Sequence, residues 1–275
     1  MRRGAAAAAR WSALLLAAAL FLLPFYLLVR NGLATREEIT SPHWTFWPAH
    51  PRWENITELL SATDVPFARS LLNSLVIAVL QTAGSLVLCA AAGYGLARIP
   101  YRHSGKVLGA VVATLLVPTS VTFVPSFVLV SSLGWLSDLR GLVVPGLFSA
   151  LNAVLFRQFF LDFPADLEDA GRIDGLGRWG VFRRIVLPNS TGFLAAIGAI
   201  TFIGSWNSFL WPLVIAQDSS SWTVQVALSA LLTAQNPQLN LLFAAAALSI
   251  LPIVLLFAGL QRFLVRGVTE TGVNG

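Results

Sequence analysis

Long apolar runs separated by short polar segments set the pattern of this chain. They cover residues 11–29, 71–97, 107–130, 142–160, 191–216 and 241–263. Each is close to, or longer than, the roughly 20 residues a helix needs to cross about 30 Å of hydrocarbon. The pattern predicts an all-α polytopic membrane protein with six transmembrane helices. For the first run a cleaved signal peptide is the competing reading, because Arg2, Arg3 and Arg10 precede it. Its length and the lack of a small-x-small site after it point instead to a retained span, with residues 1–10 as a short N-terminus.

One polar segment departs from this rhythm. Residues 162–190, between spans four and five, carry dense charge of both signs. Pro164 followed by Asp166, Glu168 and Asp169 reads as a helix start, since proline suits the first turn and carboxylates the positive helix end. Glu168 and Arg172 stand four apart, in the order that favours a helix pair. Gly175 after Asp174 reads as a left-handed stop. A second short helix is expected over about 177–187, with Trp179, Phe182 and Val186 on one stripe and Pro188 ending it. Periodicity alone leaves open an ordinary interfacial helix covering the bundle ends.

The other polar features each carry two readings. The 31–69 segment holds Trp44, Phe46, Trp47 and Trp53 among four prolines. Interfacial anchoring explains them, and stacking on a sugar ring is the alternative. Pro118 and Pro125 in the third run mark either a bend beside a pathway or kinked packing. Asn73, Gln81, Asn152, Asn207 and Gln261 lie in or near spans, where helix-to-helix hydrogen bonds are the default and a sugar path the alternative. Among them Asn207, with Trp206 beside it, is the candidate for lining a pathway.

Composition supports the membrane assignment. The chain is 56% hydrophobic and 11% charged, against about 25% charged in soluble domains. The net charge of +5 therefore belongs to membrane orientation and is no nucleic-acid footprint. With the start inside, 13 Lys and Arg fall on the inner side and five, Arg30, Arg36, Arg52, Arg69 and Arg140, on the outer. The positive-inside rule then places both termini, and the 162–190 loop between them, in the cytoplasm. Cys89 is the one cysteine, so no internal disulfide can form.

Several chemistries are missing. A P-loop needs Gly-x4-Gly-Lys-Ser/Thr to cradle phosphates. Lys106 follows Gly105 but precedes Val107, and Pro100 holds the position of the first glycine. Any ATP and magnesium would have to be bound by another chain. His43, His50 and His103 lack metal-ligand spacing. No Gly-x-Ser-x-Gly occurs, and neither catalysis nor a cofactor is expected of this chain.

The loop has a more specific resemblance. Asp169-Ala170-Gly171, three residues, Gly175, nine residues, then Ile185-Val186-Leu187-Pro188 resembles the EAA motif of ABC importer permeases, and Ile173-Asp174-Gly175 fits its commoner form. Asp169 replaces the usual Glu, and Gly171 the second Ala. Asn73-Ser74, Gly93-Tyr94-Gly95-Leu96-Ala97-Arg98, Trp206-Asn207 and Gln261-Arg262-Phe263 extend the likeness to the carbohydrate-uptake branch. Within it the chain is similar to the maltose-permease G-type subunits. The tail, 264–275, departs at Asn274, where the family often has Lys.

That resemblance implies a coupling loop that docks into a separate ATPase through Asp169, Ala170, Gly171, Asp174, Gly175, Ile185, Leu187 and Pro188. It implies three partners: a homologous second permease, a dimeric ABC ATPase and an extracytoplasmic solute-binding protein. It also implies a place in the bacterial cytoplasmic membrane and sugar import without an active site in this chain. Two rival classes stand beside it: a non-transporting membrane scaffold and an ion-driven secondary transporter. The second would put carboxylates at mid-membrane, and none stands inside the apolar runs away from their ends.

Overall fold

The computed structural model describes residues 2–271, with side chains described for 10–261. All regular structure among the described residues is helical. Among the described residues, four stretches are long and apolar enough to cross a membrane: Arg10–Gly32, Phe67–Arg98, Leu139–Leu161 and Leu239–Gln261. Two bent pairs raise the number to six: Ser104–Leu115 with Thr119–Ser132, and Arg178–Asn189 with Thr191–Trp206.

Two compact units divide the chain. The first comprises 1–71 and 226–252. Here the segment after span one folds around buried polar groups. Arg30 is 1% exposed and donates to Thr45 Oγ1 at 3.0 Å, to the Thr45 carbonyl and to Asn31. Tyr26 stacks on Phe46 at 4.8 Å. Thr35 and Glu38 form a reciprocal capping box for the Arg36–Thr40 helix. Buried Asn55, on the Glu54–Ser61 helix, donates to the carbonyls of Gly32 and Ala34 and accepts from Asn240. Trp44, Phe46, Trp47 and Trp53 remain exposed, as an interfacial cluster would be. A side chain at Gly32 would meet the Ala244 backbone at 2.9 Å, so glycine permits this close approach.

The second unit, 72–225 with 253–275, holds a core of Cys89, Ala90, Tyr94, Phe156, Phe160 and Phe182 with their neighbours. Several in-span polar groups are satisfied between helices. Asn152 donates to Ser85 and Thr201 at 3.2 and 3.1 Å, and Gln81 to the Leu142 carbonyl at 2.8 Å. Asn73 donates to the carbonyls of Ser220 and Trp222. Among the described residues, Gln261 bonds only within its own helix, to Ala258. A side chain at Gly93 would collide with Phe156 and the Arg157 backbone, so this glycine lets the helices touch.

Proline breaks the expected spans in two places. Span three is two helices bent by 97°, with Pro118 at the corner. Its ring clashes with the carbonyl four residues back, that of Thr114, and the first helix stops at Leu115. Pro125, by contrast, lies inside the second helix. Span five ends at Trp206 and resumes as Leu210–Ile215, because Pro212 gives no amide to Ser208. Span four contains a one-turn helix and a 3₁₀ turn before Ala150–Leu161. Residues 217–238, between spans five and six, contain the apolar helix Val224–Thr233. Span six runs on as helix to Thr271 through Pro252. Asn274 and the rest of 272–275 lie outside the described residues.

Candidate functional site

The 162–190 loop is built from two short helices around a glycine corner. The first, Ala165–Ile173, has Asp166 and Glu168 in its opening turn and Arg172 in its last. It ends in a Schellman arrangement: Leu176 donates to the Gly171 carbonyl at 2.9 Å and Gly175 to the Arg172 carbonyl at 3.0 Å. Gly175 sits at φ +82°, in the region glycine reaches without strain. A side chain at Gly171 would meet the tip of Ile185, so the glycine of the first helix and the isoleucine of the second fit each other.

The second helix is longer than its sequence suggests. It runs from Arg178 to Asn189 and contains a π-helical stretch, Phe182–Val186. Pro188 does not end it. Its ring would conflict with the Arg184 carbonyl in a regular helix, and the wider π turns absorb that conflict. The buried stripe differs from the one the spacing suggests. Val181, Phe182 and Val186 are buried, whereas Trp179, expected on the same stripe, is 65% exposed. The chain then turns by 79° at Ser190 into Thr191–Trp206.

A buried carboxylate fixes the loop to span two. Glu168 is 2% exposed. Its Oε2 accepts from the Tyr94 hydroxyl at 3.0 Å and faces Arg172 at 3.4 Å, while Oε1 faces Arg98 Nε at 3.2 Å. Arg98 also donates to the Phe160 carbonyl at 2.8 Å and to the Phe163 carbonyl. Tyr94 stacks on Phe182 at 4.7 Å and meets Phe160 edge-on. One cluster thus joins the end of span two, the end of span four and both loop helices. Spacing found the Glu168–Arg172 pair, but Tyr94 and Arg98 entered only as motif letters. Their distance in sequence hid their role.

The candidate loop residues fall into two sets. Gly171 is buried against the second helix, and Ile185 and Leu187 are half-buried. Asp169, Ala170, Asp174, Gly175 and Pro188 are exposed. Asp169 pairs with Arg172 at 2.8 Å on the surface. Ile173, part of the motif but not among the residues implied to dock, is 86% exposed at the corner. The remaining candidates lie elsewhere: Trp206 is 1% exposed and stacked on Phe202, and Asn207 is exposed and accepts from Gln225.

Comparison with known proteins fits this geometry. Residues 90–270 match the family described as binding-protein-dependent transport system inner membrane component. The chain is 32% identical to the lactose transport system permease protein LacG of Rhizobium radiobacter, over 94% of this chain and 93% of that one. It is 31% identical to the sn-glycerol-3-phosphate transport system permease protein UgpE of Yersinia pestis, over 94% of each. The arabinooligosaccharides transport system permease protein AraQ of Bacillus subtilis is 29% identical over 93% of this chain and 92% of its own length. The fold matches a chain in the crystal structure of a bacterial ABC transporter involved in the import of the acidic polysaccharide alginate, with a TM-score of 0.80. That match has 21% identity and covers 94% of this chain and 97% of that one. The protein therefore belongs to the family of binding-protein-dependent transport system inner membrane components, the permeases of ABC importers.

Proposed function

We propose that this chain is one permease subunit of an ATP-driven importer for a sugar or sugar derivative, supplying half of the translocation pathway. The 162–190 loop is its handle on a separate ATPase dimer, which binds the ATP and magnesium. A homologous second permease completes the pathway, and an extracytoplasmic binding protein delivers the solute. The loop and both termini face the cytoplasm, as the arginine asymmetry supports.

The observation that carries this reading is the rigid mounting of an exposed apolar corner. Ile173 and Trp179 project from a loop whose inner face is tied to span two through Glu168, Tyr94 and Arg98. An exposed apolar surface on a fixed polar base is the form of a docking element. Force applied at the corner would pass to the spans as rigid-body motion, the usual form of alternating access.

The test is solute uptake into proteoliposomes holding the assembled complex and its binding protein. Uptake should need ATP and persist when ion gradients are collapsed. Uptake that follows the ion gradient without ATP would overturn the reading, as would a complex that hydrolyses ATP and moves no solute.

A further inference from the structure

A cavity of about 460 Å³ lies within the second unit, in the size range of small-molecule sites, about 300–1,000 Å³. It forms where the third span is broken. One wall is the helix Thr119–Ser132, which presents Thr119, Thr122 and Ser126 at i, i+3 and i+7. The facing wall presents Thr201, Gly204 and Ser205, with Ser208 just past the helix end. Gln81 contributes from span two, held by the Leu142 carbonyl and by Ser205. Trp211 and Phe123 meet edge-on at 5.7 Å and close one side.

The chemistry of this lining is selective. The Trp211 indole N–H is already donated to the Gly141 carbonyl at 3.0 Å, so Trp211 offers the cavity apolar ring surface. The hydroxyls of Thr119, Ser126 and Ser208 make no hydrogen bond among the described residues. Each can both donate and accept. None of the lining residues is ionisable. Hydroxyl groups beside a fixed aromatic surface suit a ligand with many hydroxyls and apolar C–H faces. The lining offers an anion no balancing cation from this chain, whereas it offers a neutral polyol both donors and acceptors.

We propose that this cavity is a subsite for a neutral, polyhydroxylated solute, so that the substrate class is a neutral sugar rather than a sugar phosphate or uronate. The proposal rests on the importer reading above. Gly204 keeps the subsite open: a side chain there would meet no protein atom within 4 Å. Gly204 lines the cavity, and its Cβ position is open, so a larger residue can be introduced there without a clash at its first side-chain atom.

The test uses the complete complex with its binding protein in proteoliposomes. Its panel pairs lactose, maltose and arabinotriose with sn-glycerol 3-phosphate and an alginate oligosaccharide. Neutral members should be taken up and anionic members should not. Gly204→Leu should lower uptake at least tenfold, on the order of the loss expected when a fitted site is occupied, while the ATPase still co-purifies. Thr119→Val combined with Ser126→Ala keeps the side-chain volumes nearly constant and should raise KM for the transported sugar about tenfold. Uptake of an anionic member, or Gly204→Leu and the double variant both behaving as wild type, would overturn the subsite and leave the importer reading intact. Uptake of nothing by an ATP-hydrolysing complex would overturn the importer reading itself, and the subsite with it.

Discussion

The Tyr94 hydroxyl donates to Glu168 Oε2 at 3.0 Å, joining the end of span two to the first helix of the 162–190 loop across 74 positions of sequence. Glu168 is buried and also faces Arg98 and Arg172. A buried charge is tolerated when it is paired and hydrogen-bonded, and removing a partner leaves a group unsatisfied. The loop is thereby held in one orientation relative to the spans that flank it.

Tyr94→Phe should remove one hydrogen bond and leave the ring stack on Phe182, weakening loop attachment by about 1 kcal/mol. Glu168→Ala should be far more severe, roughly 3 kcal/mol, because Arg98 loses its counter-charge. Both proteins should insert. Measuring membrane abundance beside ATPase co-purification should show wild-type abundance in both, with retention falling slightly for Tyr94→Phe and strongly for Glu168→Ala. Equal retention in the two would mean that Glu168 does not orient the loop.

What the sequence made legible follows from the range of each signal. Apolar length revealed the spans, and local spacing revealed the Glu168–Arg172 pair and the Gly175 corner, because these depend on residues within a few positions. The breaks at Pro118 and Pro212 were harder to read. Pro125 and Pro252 lie inside continuous helices, so a proline alone does not decide between bend and break. The π turn at Phe182–Val186 has no simple sequence pattern, and Trp179 lies outside the buried stripe that spacing assigned it to. Arg30 counted as an outer-side charge, yet it is a buried structural group tied to Thr45, a role that charge counting cannot see. The Tyr94–Arg98–Glu168 cluster needed three-dimensional proximity that spacing does not encode.

Orientation has a direct test. In a variant lacking Cys89, a cysteine at position 43 should react with an impermeant thiol reagent added to intact cells, and one at 103 should not. His43 is exposed and His103 half-buried, so both positions offer access from their own side. Reversed labelling would put the 162–190 loop outside, away from any ATPase.

The tail offers a separate test of contact with the ATPase. Deleting residues 270–275 should lower transport more than membrane insertion, since the six spans are complete before it. Abundance and uptake measured on the same membranes decide the point. Normal uptake by the truncated chain would show that the tail makes no important contact there.

Gly175 isolates the corner itself. Its φ of +82° lies in the left-handed region, and no atom stands within 4 Å of where a side chain would begin. The penalty for substitution is therefore conformational, with no steric clash added. Alanine should cost about 1 kcal/mol there, and valine more, because a β-branched residue tolerates positive φ poorly. Strain relieved by opening the corner would break the bonds from Gly175 and Leu176 back to Arg172 and Gly171, and would turn the Arg178–Asn189 helix relative to the first. Glu168 would still hold the first helix to span two, so insertion and packing of the spans should survive. Ile173 and Trp179, one on each side of the corner, would lose their fixed separation. Permease abundance, ATPase co-purification and uptake, measured together for Gly175→Ala and Gly175→Val, should show unchanged abundance and a graded loss of the other two, with valine the more severe. If valine keeps both ATPase retention and uptake at the wild-type level, the corner does not couple this permease to its ATPase.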